Sequence, residues 1–143
     1  MTSKKSVKKK KLYDIKIGAI FLTELEARNL GGPVEEVSFT TNASLEGAQL
    51  NEDEHRASVT ISVEPEKPEN IDSPPYVVKV KLTVVYKRKS NEVTPNAMEE
   101  FARSNALWHL WPYAREVIAD ISMRMGYPPL YLPFIPRSQN LPE

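Results

Sequence analysis

The sequence has no cysteine and only two histidines, His55 and His109, among its 143 residues. The absence of cysteine excludes disulfide bonds, thiolate catalysis and cysteine-ligated zinc. Two histidines far apart in the sequence are a weak basis for a metal site. Acidic residues such as Glu24 and Glu35 have no nucleophile, base or phosphate-binding loop beside them. We therefore expect no enzymatic activity and no cofactor.

Long apolar runs are also missing, because the longest has only four or five residues. A membrane-spanning helix needs about 20 such residues. The N-terminus is basic but lacks the apolar core of a secretory signal. We therefore expect a cytoplasmic protein without a membrane span. Its composition, 41% apolar and 27% charged, is typical of one soluble domain.

The net charge is zero, but the charges are unevenly distributed. Residues 1–11 hold six lysines and no acid, whereas residues 12–143 hold 13 basic and 19 acidic residues. A run of like charges cannot bury enough apolar surface to fold, so residues 1–11 are predicted to be a disordered, lysine-rich tail. Such a tail either aids solubility or contacts a polyanion. No aromatic residue lies among the lysines, which argues against nucleic-acid binding.

Alternation of apolar and polar residues predicts four β-strands. The first, within residues 13–26, alternates and then slips at Gly18 or Ala19, which predicts a β-bulge. Strict alternation follows in three further segments, residues 37–46, 56–64 and 76–87. Prolines make the segment 64–75 an exposed loop. Because loops rather than helices join the strands, we expect an antiparallel meander.

The periodicity becomes helical near the end of the sequence. Thr94 and Pro95 are typical of an N-cap and a first helical position, and the helix is predicted over residues 97–126. Pro112 predicts either a kink or two helical segments, and Gly126, followed by two prolines, predicts the helix end. The expected fold class is α+β, a four-stranded antiparallel meander sheet followed by a Pro-kinked helix.

One sheet and one helix leave apolar surface uncovered. The stretch 127–135 is apolar and aromatic, but its prolines prevent it from completing a sheet. The second sheet face is expected to show Val77 and Val85, together with Ile20 and Leu22 after the bulge. We therefore expect a homo-oligomer assembled through the edge of the first strand and the helix.

Two sequence elements resemble the SecB family of export chaperones. The first is PYARE at residues 112–116, and the second is GYPPLYLP at residues 126–133. The family carries PYARE and then G-aromatic-P-x-L-x-L-x-P, at the same spacing, after a four-stranded sheet. The similarity extends loosely over residues 12–137, which implies a single SecB-like domain there and a flexible C-terminus at 138–143. The resemblance implies a homotetramer that binds unfolded preproteins without ATP and passes them to SecA.

The resemblance leaves two functions open. One is an ATP-independent holdase for unfolded polypeptides or preproteins, acting in protein export. The other is a SecB-like chaperone or interaction module dedicated to one partner, such as an antitoxin of a toxin–antitoxin system. Members of the family continue into a second helix, which we do not expect here because only ten residues follow Pro133.

SecA docking in the family uses acidic residues on the exposed sheet face. Here that face is expected to be lysine-rich, so complementarity to SecA would be lost or reversed. The residues expected on it are Lys79, Lys81, Lys87, Ser38, Thr40 and Asn42.

Exposed aromatic surface recognises unfolded chains through their apolar content, without demanding a sequence. We expect the client-binding residues to lie on the helix and in the stretch after it. They are Trp108, Trp111, Tyr127, Leu130, Tyr131, Leu132 and Phe134. The two tryptophans are equally compatible with a place in the core or in a subunit interface. Arg115 and Glu116 are interpreted as structural charges on the helix, and His109 as a packed histidine.

Overall fold

A computed structural model describes residues 14–133 of the chain. These residues form four strands and one long helix, named in chain order. They are β1 (Ile15–Asn29), β2 (Phe39–Gln49), β3 (Glu54–Pro65), β4 (Tyr76–Arg88) and α1 (Pro95–Arg124). One turn of 3-10 helix, Pro68–Asn70, lies in the proline-rich loop before β4. The predicted class, an antiparallel sheet followed by a helix, is confirmed. The predicted tail 1–11 and terminus 138–143 lie outside the described residues.

The strands lie in the order β1–β4–β3–β2, with every neighbouring pair antiparallel. Strands β2, β3 and β4 form the predicted meander, but β1 pairs with β4 rather than with β2, which corrects the prediction. The central place suits β4, because its alternate residues from Tyr76 to Tyr86 are buried. The connection 30–38 crosses the end of the sheet to the far edge, a distance that nine residues span easily.

β1 contains two register shifts, between Ile17 and Ala19 and between Leu22 and Glu24. The first confirms the predicted bulge. Because the bulge absorbs one residue, Ile20 and Leu22 lie opposite residues of β4 whose side chains face the helix, Val84 and Leu82. The expectation that Ile20 and Leu22 lie on the second sheet face is therefore wrong. Phe21 is on that face, opposite Thr83.

α1 begins as predicted, since the hydroxyl of Thr94 accepts a hydrogen bond from the backbone N–H of Ala97 at 3.1 Å. The helix continues through Pro112, so the alternative of two helical segments is wrong. It packs mainly over β3 and β4 and hardly touches β1. Its core-facing residues are Met98, Ala102, Ala106, Leu110, Ala114 and Ile118. Within residues 14–133, no helix is long and apolar enough to span a membrane.

The open face of the sheet, opposite the helix, carries charges of both signs. Lys79 and Lys81 are present as expected, but β1 places Glu26 and Glu24 directly opposite them. The ammonium of Lys81 lies 2.8 Å from Glu46, and Lys87 makes a 3.4 Å ion pair with Glu54. The expectation of a lysine-rich face is therefore wrong, because the acids of β1 become neighbours of β4 only through the tertiary strand order. Thr40 and Asn42 lie in β2, whereas Ser38 precedes it.

Candidate functional site

The chain reverses direction after α1 and returns along the helix. Gly126 allows this reversal with a φ of 92°, in the left-handed region. We call residues 126–133 the return segment. Its Tyr127 N–H bonds the Ser122 carbonyl at 3.1 Å. Its Leu130 N–H donates to the Ser122 hydroxyl at 2.9 Å.

Helix side chains hold the far end of the return segment. The indole N–H of Trp111 donates to the Pro133 carbonyl at 2.8 Å. The guanidinium of Arg115 donates to the Leu132 carbonyl, also at 2.8 Å. The prolines of this segment supply no N–H, so the segment cannot join a sheet. Its carbonyls therefore have no partner strand and need side-chain donors such as these. The PYARE element and the GYPPLYLP element therefore contact each other.

Tyr127 anchors the near end of the return segment to the crossing connection. Its hydroxyl lies 2.7 Å from the Gly32 carbonyl and 3.2 Å from that of Pro75. Its ring packs against Tyr76 with 4.9 Å between ring centroids. Gly32 is required here, because a Cβ at this position would lie 1.8 Å from the Ser73 carbonyl oxygen. Three separate stretches of chain therefore meet at one partly buried junction.

The structure separates the predicted client-binding residues by exposure. Leu132 is 2% exposed and Trp111 is 8% exposed, so both are packed inside the described chain. Tyr131, between two inward-facing leucines, is 66% exposed. The remaining described members, Trp108, Tyr127 and Leu130, are partly buried. Phe134 lies outside the described residues. Of the described members, Tyr131 is therefore the one that solvent reaches most freely.

A second apolar surface lies along β1, of which the sequence analysis identified Leu22 but placed it on the other sheet face. It consists of Ile17, Leu22 and Leu25, each between 41% and 47% exposed. We call these three residues the β1 row. They lie opposite Tyr86, Leu82 and Val80, which face the helix, but α1 does not extend over them. Helix residues Tyr113 and Met123 are also exposed. If one residue is skipped at each bulge, the apolar–polar alternation of β1 places the three residues of the β1 row on the same face.

His109 is occupied by a hydrogen bond within the protein. The hydroxyl of Tyr86, which is fully buried, lies 2.7 Å from Nδ1 of His109. Burial lowers the pKa of His109 and raises the pKa of Tyr86. Both groups are therefore uncharged near neutral pH, and they share one hydrogen bond. Among the described residues, no group of three or more His, Cys, Asp or Glu side chains is placed to hold a metal ion.

Comparison with known proteins gives a family and a fold. The family model "Preprotein translocase subunit SecB" matches residues 8–136. The search of curated proteins finds no match. Among solved structures, the chain is similar to the Mycobacterium tuberculosis Rv1957 SecB-like chaperone in complex with a ChAD peptide from the Rv1956 HigA1 antitoxin. That similarity has a TM-score of 0.75 and 14% identity, over 94% of this chain and 99% of that chain.

A protein of unknown function from Streptococcus agalactiae is similar at a TM-score of 0.38 and 12% identity, over 84% of this chain and 97% of that chain. This likeness is too low to support an argument. The family match covers most of the sequence and includes both elements that meet along α1. The chain therefore belongs to the SecB family, and its function is that of a chaperone.

Proposed function

We propose that the protein is an ATP-independent holdase that binds extended, apolar segments of unfolded polypeptides in the cytoplasm, before their export. The observation that carries the proposal is the exposure of Tyr131 on a fastened segment. Hydrogen bonds from Trp111 and Arg115 hold the backbone beside it. Apolar surface that is preorganised binds without a large ordering cost.

Selectivity for unfolded chains follows from the character of this surface. An aromatic ring offers a large apolar contact area with few rotatable bonds. It makes no charged or directional demand on a client, so it recognises apolar content rather than one sequence. Affinity then comes from several weak contacts acting together.

A homo-oligomer, assembled as a tetramer, would multiply these contacts. The exposed apolar side chains of the β1 row lie on an edge strand, whose outer side has no strand partner among residues 14–133. An open strand edge with exposed apolar side chains favours pairing with another chain. We propose that a second copy covers this surface. Client surfaces of neighbouring subunits would then lie in one assembly.

A chaperone dedicated to one antitoxin-like partner is the second candidate. It is favoured by the peptide seen on the Rv1957 chaperone, which comes from an antitoxin. SecA is a further candidate partner for the export function. The mixed charge of the open sheet face, with Lys81 paired to Glu46, offers acids as well as lysines for such docking.

The holdase proposal is tested by diluting a denatured client into buffer with stoichiometric chaperone and no nucleotide, while light scattering is followed. We expect suppressed aggregation, and weaker suppression by Tyr131→Ala. Leu50→Ala is the matched control, because Leu50 is 46% exposed but lies in the β2–β3 turn. A folded oligomer that fails to suppress aggregation would contradict the proposal. Co-purification of one small partner, rather than a mixture of clients, would favour the dedicated chaperone.

A further inference from the structure

A cavity of about 400 Å³ lies between the ends of β2 and β3 and the first turns of α1. It is at the opposite end of the helix from the return segment, so an assignment here goes beyond the proposed function. Its walls include the apolar side chains of Leu45, Ala57 and Ala102. Polar side chains also line it, namely Glu46, Gln49, Asn96, Glu99 and Arg103, and Glu46 is paired with Lys81 at 2.8 Å.

The buried polar group of the cavity is His55, which is only 4% exposed. Its Nδ1 lies 3.0 Å from Oε1 of Gln49. The side-chain nitrogen of Gln49 donates to the Asn51 carbonyl, which directs Oε1 towards the imidazole. Since Oε1 can only accept, Nδ1 carries the proton. Burial lowers the pKa of His55, against a smaller opposing effect of Glu99, so Nε2 bears a free lone pair at neutral pH.

Nε2 of His55 has no hydrogen-bond partner among residues 14–133. No fully buried side-chain nitrogen or oxygen in that range is unpaired, so Nε2 must reach the accessible space of the cavity. Gly47 is what leaves this space open, because a Cβ there would lie 3.1 Å from Nε2. The cavity therefore presents Nε2 of His55, on a largely buried side chain, as an acceptor that a ligand can reach.

The chemistry of a ligand that can donate to Nε2 follows from the charge and shape of the lining. Glu99 and Arg103 form a 3.7 Å ion pair, and both side chains are about half exposed, so they offset each other. A neutral ligand therefore suits the cavity better than an ion. The apolar part of the wall, formed by Leu45, Ala57 and Ala102, suits a ring, and the polar part suits a ligand with a polar group. The same protein pairs its other imidazole, that of the partly buried His109, with the phenol of Tyr86.

We propose that this cavity binds a phenol, either the side chain of a tyrosine in a bound polypeptide or a free phenolic compound. The hydroxyl donates to Nε2 of His55. The ring packs against Leu45, Ala57 and Ala102. Gly47 gives access, and the Glu99–Arg103 pair borders the ring without contributing net charge.

The test is a titration of histidine-labelled, tag-free protein followed by imidazole nitrogen NMR. The chain has two histidines, so His109 serves as an internal control. We expect N-acetyl-tyrosinamide to shift the His55 signals and leave those of His109 unchanged. N-acetyl-phenylalaninamide, which lacks only the hydroxyl, should bind roughly 3- to 10-fold more weakly, as expected for the loss of one hydrogen bond. Unshifted His55 signals, or equal affinities for the two compounds, would overturn the proposal.

The source of the phenol is distinguished by two further probes. Tighter binding of the capped tripeptide Ala-Tyr-Ala than of p-cresol supports a polypeptide ligand, whereas tighter binding of p-cresol supports a free phenol. Gly47→Ala should abolish the His55 shift, because the new methyl covers Nε2. Ser44→Thr adds one methyl elsewhere on β2 and should bind normally. Retained binding by folded Gly47→Ala would overturn the proposal, and if that variant does not fold, the tyrosine and phenylalanine comparison on the unmodified protein decides.

Discussion

The hydroxyl of Tyr127 lies 2.7 Å from the carbonyl oxygen of Gly32, 95 residues earlier in the chain. This hydrogen bond ties the return segment to the connection that crosses the end of the sheet. The surface carrying Tyr131 is therefore positioned by a long-range contact rather than by the helix alone. Stability and client binding should respond to different tyrosines of the same segment.

Tyr127→Phe tests the structural role of that hydroxyl. The change leaves the Gly32 carbonyl without its donor, and we expect the free energy of unfolding to fall by about 1–3 kcal/mol. Tyr131→Phe is the matched control, because its ring is 66% exposed and it should change stability by less than about 0.5 kcal/mol. Chemical denaturation measures both. Equal effects of the two substitutions would contradict the assigned role.

Leu22→Asp tests the β1 row as the subunit contact. A charge buried in an apolar interface without a partner is strongly unfavourable, so we expect dissociation towards the 16.2 kDa monomer. Leu50→Asp is the control, because Leu50 is 46% exposed against 47% for Leu22 but lies in a turn at the end of the sheet. Light scattering at micromolar concentration provides the measurement. An unchanged mass for Leu22→Asp would remove β1 from the interface.

His109→Gln tests the pH dependence built into the Tyr86 contact. The folded protein lowers the pKa of His109 below 6.5, so the unfolded chain binds more protons as the pH falls. The stabilisation is complete above pH 6.5 and is lost as the pH falls through the folded pKa. His55 acts in the same direction. The pKa values of Glu46 and Glu54 are also lowered, but these carboxyls change the stability only below pH 4.5, outside this range.

The amide of glutamine can donate or accept in the hydrogen bond with Tyr86 but does not titrate. We therefore expect the unfolding free energy of His109→Gln to depend less steeply on pH between 7 and 5 than that of the unmodified protein. His55, whose pKa burial also lowers, still contributes to the slope in this variant. Urea denaturation at several pH values makes the comparison, and parallel curves for the two proteins would refute the prediction.

Thr94→Ala tests the start of α1. Loss of the hydroxyl leaves the Ala97 N–H without its acceptor, and N-cap changes of this kind cost about 1 kcal/mol. Ser104→Ala removes a hydroxyl from an exposed position inside the same helix and should have little effect. Thermal unfolding followed by circular dichroism compares the two. A stability loss shared equally by both variants would count against the cap.

The elements of this fold were predictable because their signals are local. The alternation in residues 76–87 and the Thr94-Pro95 pair each specify an element within a few residues, and both agree with the structure. Strand order is different. No residue pattern within β1 indicates that β4 rather than β2 is its neighbour. The pairing of β1 depends on how β4, the most apolar strand, is buried in the sheet.

The candidate site was predictable in part for the same reason. The return segment was recognisable from its aromatic, leucine and proline content. The composition of the segment could not show which of its side chains are exposed. Tyr131 and Leu132 are adjacent and both apolar, yet Tyr131 is exposed and Leu132 is buried. The carbonyls that Trp111 and Arg115 bind are 22 and 17 residues away in the sequence. No local sequence pattern could therefore indicate that these two side chains are their donors.

The amino-acid sequence alone determined the strands, the helix with its cap and the family to which the chain belongs, because periodicity, capping and motif spacing act over short distances. Only the tertiary structure decided that β1 joins β4, that acids lie beside the lysines of the open face, and that Gly47 uncovers Nε2 of His55. Those features depend on which distant segments are brought into contact when the core is buried.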